Sequence, residues 1–291
     1  MPPTMAAVQM TMPSISPEGP RRADVVLLFD ASPASLVAVA AAQARARSRA
    51  GLRALYIEEH DWLCSAAYPF AAEVGAGSGA LLRYDAAALE RRLQRRRAHV
   101  RKRLRMAAGD TALVFDVLRG RSIEQVMAVL APDDVLVIGR VGYTSAIGRA
   151  IGSLALSLAR RVRGEVMLTA LREASRSDPI VVLLDAPEAT GRLLAAAAER
   201  ARERQAPLRI QLLPKGADEK LLTAWLASSE LAISVQRLPA RGQAWSQGDP
   251  LVSALADSGA ELLLSRRGTL LQSASAAALL ARFPGTVSVL P

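Results

Sequence analysis

The chain predicts an α/β protein made of two tandem doubly wound units, each a parallel five-stranded sheet flanked by helices, with the second copy shortened and degenerate. Three observations carry this expectation. Short apolar runs alternate with helical stretches from residue 24 onward, and the same order starts again after residue 179. A glycine pattern, Gly139-Arg-Val-Gly142 and, nine residues later, Gly152-Ser153, follows one of those runs.

The first run, 24–29, is apolar after its aspartate, as a strand buried on both faces requires, and it ends at Asp30. Ser32 and Pro33 supply an N-cap and a first helical position for a helix reaching about residue 49. Residues 52–57 read as the second strand. From His60 to about Leu82 the chain reads as irregular, with Pro69 and the glycines Gly75, Gly77 and Gly79, a composition that suits a flexible lid.

A long helix comes next. Leu82, Ala86, Leu89, Leu93, Val100, Leu104 and Ala107 recur at three- and four-residue steps and leave the arginines on the other face. Residues 112–118 form a third strand, 122–130 a helix and 134–138 a fourth strand. After the glycine pattern, 153–162 is helical and 166–170 is a fifth strand.

Residues 172–178 are polar and precede a proline, so they read as a linker between a first unit at 23–171 and a second at 179–291. The restart is explicit. Ile180-Val-Val-Leu-Leu-Asp185 repeats Val25-Val-Leu-Leu-Phe-Asp30, Leu208-Arg-Ile-Gln-Leu echoes Leu52-Arg-Ala-Leu-Tyr, and Leu262-Leu-Leu-Ser265-Arg-Arg-Gly268 echoes the segment ending at Gly142. The interval from Asp185 to Gly268 is shorter than that from Asp30 to Gly142, so the second unit lacks most of the segment holding the basic helix. Ser265 stands where the first glycine would be, and no Gly-Ser pair follows; the second unit is expected to have lost the loop.

Composition bounds the rest. With 51% apolar and 22% charged residues, the chain is ordinary for a globular protein of two domains. A single cysteine, Cys64, rules out an internal disulfide and a cysteine zinc cluster and fits a reducing compartment, and only His60 and His99 offer imidazoles. No stretch reaches the roughly 20 apolar residues that span a bilayer. Residues 1–22 lack a continuous apolar segment and resemble no secretory signal, so a disordered tail on a cytoplasmic protein is expected. The net charge of +10 is concentrated in Arg91, Arg92, Arg95, Arg96, Arg97, Arg101, Lys102, Arg103 and Arg105.

Strand, glycine turn, loop and Gly-Ser at a helix start make a phosphate cradle. Glycines let the backbone approach a ligand, and the amides freed at the helix start favour an anion. At Gly139, Gly142, Gly152 and Ser153 the sequence resembles the ATP-binding branch of the universal stress protein family, whose hallmark has this spacing. The resemblance covers 24–170 well and 179–291 in outline.

It implies a Rossmann-like sheet of the adenine nucleotide alpha hydrolase type, with ATP, with or without Mg2+, across the carboxyl ends of the strands. It also implies that Asp30 lies near adenine and ribose, that Ile57 contacts adenine through its backbone, and that Gly139, Gly142, Gly152 and Ser153 hold ribose and phosphates. The two units are expected to pair face to face through their final strands as an internal pseudo-dimer, and whole chains could pair likewise. Such a protein is expected to act as a regulator or sensor, with at most slow ATP hydrolysis.

The residues admit plainer accounts. The glycines could serve turns alone, Asp30 could simply cap the next helix, and Ile57 could be core. Arg140 and Arg149 lie inside the loop, where a guanidinium can pair with phosphate oxygens. No Gly-x-x-x-x-Gly-Lys-Ser/Thr sequence occurs, so no P-loop lysine serves rapid hydrolysis. The basic segment 91–105 packs on the protein by its apolar stripe and reads first as a solvated face, with an acidic protein partner or nucleic acid behind. The alternatives to a nucleotide-binding regulator are therefore an interaction scaffold and a basic nucleic-acid-binding module.

Overall fold

A computed structural model describes residues 24–47, 49–59, 72–74, 77–83, 85–140, 152–170, 175, 177–238, 259–274 and 276–291. The expected tail at 1–22, Cys64, His60, Gly142 and Arg149 lie outside the described residues.

The first unit runs β1 (Val25–Leu28), α1 (Pro33–Ala46), β2 (Leu52–Glu59), β3 (Ala72–Val74), β4 (Leu81–Arg83), α2 (Ala86–Ala108), β5 (Val114–Gly120), α3 (Ser122–Val129), β6 (Val135–Gly139), α4 (Ser153–Arg161) and β7 (Glu165–Thr169). The second runs β8 (Ile180–Leu184), a 3-10 turn at Pro187–Ala189, α5 (Thr190–Arg204), β9 (Leu208–Leu212), α6 (Glu219–Ser228), β10 (Ile233–Arg237), β11 (Glu261–Ser265), α7 (Thr269–Gln272), α8 (Ala276–Arg282) and β12 (Thr286–Leu290).

The local reasons are chemical. Ser32 caps α1, its hydroxyl accepting from the Ser35 amide at 3.2 Å, and Pro33 takes the first helical position. The helix then buries Ala34, Ala38 and Ala42 on one face. Small residues at that spacing let α1 lie close to the sheet.

Two expectations need correcting near β4. The long helix begins at Ala86, not at Leu82, because Asp85 accepts from the Ala87 amide at 2.9 Å and caps it there. The segment expected to be irregular includes an antiparallel hairpin, in which Val74 pairs with Leu81 around Gly77, Ser78 and Gly79, the last at φ 65°. Three-residue strands are too short to show a period in sequence.

The two five-stranded sheets join into one. Its order is β10-β9-β8-β11-β12-β7-β6-β1-β2-β5, ten strands in all. Every neighbouring pair is parallel except β12 and β7, which run antiparallel with Val287 opposite Leu168 and Val289 opposite Val166. The units therefore meet edge to edge through their final strands, not face to face as expected. This contact covers two edges that would otherwise expose unpaired amides and carbonyls.

On the α3, α4, α7 and α8 side, one continuous core crosses both units, from Leu55 and Leu136 through Leu158 and Leu168 to Leu264 and Phe283. On the other side the core is divided, with α1 and α2 covering one half and α5 and α6 the other. Between those halves a charged chain crosses the junction: Glu165 accepts from Arg45 at 3.1 Å and Arg200 at 2.5 Å, and Arg200 also donates to Glu261. The shortening of the second unit falls where the first has α2; α6 has ten residues against twenty-three.

Candidate functional site

The carboxyl ends of β1 and β6 bring most of the expected site residues together. Asp30 follows β1, and its Oδ1 accepts from the Ser32 amide at 2.9 Å, so the carboxylate shapes the turn into α1 while remaining partly exposed. Ala31, between them, is held at φ 63°, a left-handed conformation that costs a side chain about 1–2 kcal/mol.

Gly139 ends β6 directly beneath the first turn of α1. A Cβ there would stand 2.8 Å from the Ala34 carbonyl carbon and 3.0 Å from the Ser35 amide nitrogen, so only glycine permits this approach. The Gly152 amide then donates to the Arg140 carbonyl at 3.0 Å, returning the chain to the end of β6 as α4 begins. Gly152 is the N-cap of α4 and offers no side chain, and Ser153 at the first helical position is exposed. The first amides of α4 therefore start a nine-residue helix without a side-chain cap.

Ile57 lies in β2, opposite Leu118, and its side chain packs against the core that crosses both units. Arg140 is placed elsewhere than in the loop. It donates to the carbonyls of Leu280 at 3.4 Å, Phe283 at 2.6 Å and Gly285, all in the second unit. It is buried, and desolvation pushes its guanidinium down to about 10. Its two terminal nitrogens are engaged by the unit junction and not by the site, and its Nε is buried without a hydrogen-bond partner among the described residues.

One cluster escaped the sequence reading. Glu58, next to Ile57, is only 2% exposed; Arg97 holds both of its oxygens, at 3.1 and 2.8 Å, and Arg119 donates to it at 3.0 Å while reaching Glu90 at 2.7 Å. The signal was available. Arg97 stands four residues after Leu93 and three before Val100, on the apolar stripe itself, so its side chain is aimed at the protein and needs a buried acid.

Among the described residues no group of three or more histidine, cysteine, aspartate or glutamate side chains could hold a metal ion, and no helix is long and apolar enough to cross a membrane.

No family model matches the chain, and no curated protein matches its sequence. Solved structures do match it. A universal stress protein from Archaeoglobus fulgidus DSM 4304 is 13% identical, with 92% of this chain and 95% of that one covered and a TM-score of 0.59. A candidate universal stress protein from Pseudomonas aeruginosa UCBPP-PA14 is 12% identical, with 92% of each chain covered and a TM-score of 0.53. The chain has the universal stress protein fold.

The two halves of this universal stress protein fold differ at the helix starts after β6 and β11. In the second, Asp185 follows β8 as Asp30 follows β1, but its Oδ2 accepts from the Leu270 amide at 2.9 Å, at the start of α7. Gly268 lies against it so closely that a Cβ would stand 2.1 Å from Asp185 Oδ1. The carboxylate occupies the place an anionic ligand would take. Burial pushes Asp185 up to about 6, against which the Leu270 amide works in the opposite direction.

Proposed function

We propose that the first unit binds ATP as a regulatory or sensory ligand and that the second is its structural partner, without a nucleotide of its own. The single observation that carries this reading is the contrast between the two helix starts. That of α4 has no side-chain cap and opens beside Gly139 and Asp30, whereas that of α7 is already answered by Asp185.

In this reading the Ser153 amide and the Ser153 hydroxyl face the phosphates, while the Gly152 amide, bonded to the Arg140 carbonyl, fixes the helix start beneath them. A helix N-terminus stabilises an anion through its unpaired amides and its dipole. Gly139 keeps α1 against β6, so that Asp30 is presented on the same rim, and Gly142 and Ile57 complete the contacts implied by the sequence resemblance. The reading contains no catalytic step. Mg2+, where it accompanies ATP, would be held by the phosphates rather than by a protein cluster.

Titration calorimetry with ATP tests it. The unmodified chain is expected to take up one nucleotide, and Gly152→Asp, which places a carboxylate at the helix start as Asp185 does in the second unit, is expected to abolish uptake. Equal binding by both proteins, or none by either, overturns the proposal.

A further inference from the structure

The outer edge of the first unit carries positive charge that carboxylates among the described residues neutralise only in part. Helix α2 has nine basic residues and one acid, Glu90. The amino-terminal half of this charge is engaged: Arg91 pairs with Asp85, Arg97 with Glu58, and Glu90 is taken by Arg119. In the carboxyl-terminal half, no carboxylate among the described residues pairs with Arg101, Lys102, Arg103 or Arg105. The helix dipole favours cations there, but by less than about 1 kcal/mol each at an exposed site.

Those cations border a groove. Helix α2 packs on α1 and β2 more than on β5, leaving a cleft of about 440 Å³ between its last turns and the start of β5. The floor is Leu104, Ala108, Leu113 and Phe115, and the rim is Arg101 and Arg105. The Arg101 guanidinium lies over the Phe115 ring, 5.3 Å from its centre, so the rim and floor are held together.

Beside the groove, among the described residues, lies an open strand edge. There β5 pairs with β2 on one side only and ends the sheet, with Val114 56% exposed. Its own carboxylate, Asp116, is paired with Arg53 at 2.8 Å. The rim stays positive even with the exposed Asp110 of the following turn counted. Seven residues of strand offer roughly 23 Å of unpaired amides and carbonyls.

We infer that the β5 edge and the α2 rim together form a docking surface for an extended acidic peptide segment of a partner protein. The peptide adds as a further strand on β5, its backbone satisfying the edge. Its carboxylates meet Arg101 and Arg105 and an apolar side chain enters the groove. A second copy of this chain does not fit the same edge: pairing β5 with β5 would bring two unneutralised α2 helices together, and like charges oppose it. This surface is separate from the proposed nucleotide site, so either reading can fail without the other.

The test is fluorescence anisotropy on the full chain at near-physiological salt, with a labelled octapeptide whose odd residues are glutamate, valine, glutamate and valine and whose even residues are threonine, so that carboxylates and apolar side chains share the face toward α2. Binding is expected, and Arg101→Glu with Arg105→Glu is expected to weaken it by about tenfold or more. Both side chains are solvent-facing, so the variant should fold. Two further peptides carry N-methyl groups on one or the other alternate set of residues. One set faces β5 and should abolish binding, while the other should leave it.

No binding of the parent peptide, an unchanged affinity in the variant, or any other N-methyl pattern overturns the inference. So does displacement of the peptide by a single-stranded oligonucleotide of equal charge that binds more tightly, which would assign the surface to nucleic acid.

Discussion

Arg140 and Arg266 are reciprocal: each follows the strand next to the final strand of its own unit and donates to carbonyls just before the final strand of the other. Arg140, after β6, reaches Leu280, Phe283 and Gly285. Arg266, after β11, reaches Ala159 at 3.1 Å, Arg163 at 3.0 Å and Gly164. Burial pushes both guanidiniums down to about 10. Antiparallel pairing of β7 with β12 sets the carboxyl end of one unit's strands beside the amino end of the other's, which makes the exchange geometrically available.

Arg140→Met is therefore expected to cost about 2–4 kcal/mol, because buried carbonyls lose their donor. Urea unfolding measures it. Since Arg140 faces the junction, ATP affinity in the folded variant should stay within about twofold. A loss of tenfold or more would return Arg140 to the phosphate ligands.

Glu165 binds the two units through Arg45 and Arg200. Burial by itself would raise its carboxyl, but the two guanidiniums outweigh burial and hold it below its ordinary value of 4.5. A lowered native value means that the stabilisation is present above pH 4.5 and is lost as pH falls through the native value. Glu165→Gln should cost up to about 3–5 kcal/mol at pH 7 and flatten the acid limb of stability against pH. An acid limb identical to that of the unmodified protein would remove Glu165 as its cause.

Asp185 behaves oppositely. Its value rises from 3.8 to about 6 on folding, so the native state binds the proton more tightly. Its contribution is fully present below pH 3.8 and is lost as pH climbs through about 6. The change is on the order of 3 kcal/mol. Asp185→Asn keeps an acceptor for the Leu270 amide and should stabilise the protein at pH 7 but not at pH 4; equal effects at both values would contradict this account.

Gly139→Ala places a methyl 2.8 Å from Ala34 and should cost about 1–3 kcal/mol, with α1 shifted from β6 and weaker ATP binding. Gly191→Ala is the control. Its added carbon meets Leu221 at an ordinary 3.6 Å, and the change should be stabilising by a few tenths to about 1 kcal/mol. Thermal unfolding of the two variants separates close packing from general glycine loss.

Much of this architecture was legible locally. The runs at β1, β6 and β8 carry no polar side chain because strands buried on both faces admit little else, and each marked its own position. The Ser32-Pro33 start of α1 was readable for the same reason, since capping involves only neighbours in sequence. Gly139, Gly152 and Ser153 were singled out by spacing, and Asp30 by the family resemblance that this spacing carries. The β3–β4 hairpin was missed because three residues carry no period, and the start of α2 was misplaced because Asp85 looked like one polar residue among several.

By itself, the sequence determined the repeat, the class of fold and the loss of the loop pattern in the second copy, all of which depend on the order and polarity of neighbouring residues. Only the tertiary structure decided that the two sheets are one, that Arg140 belongs to the junction, and that Asp185 accepts from an amide at the second helix start while Asp30 accepts from its own turn. Asp30 and Asp185 look alike in the chain. What separates them is which backbone amides lie within about 3 Å: Asp30 accepts from Ser32, two residues on, and Asp185 from Leu270, 85 residues away.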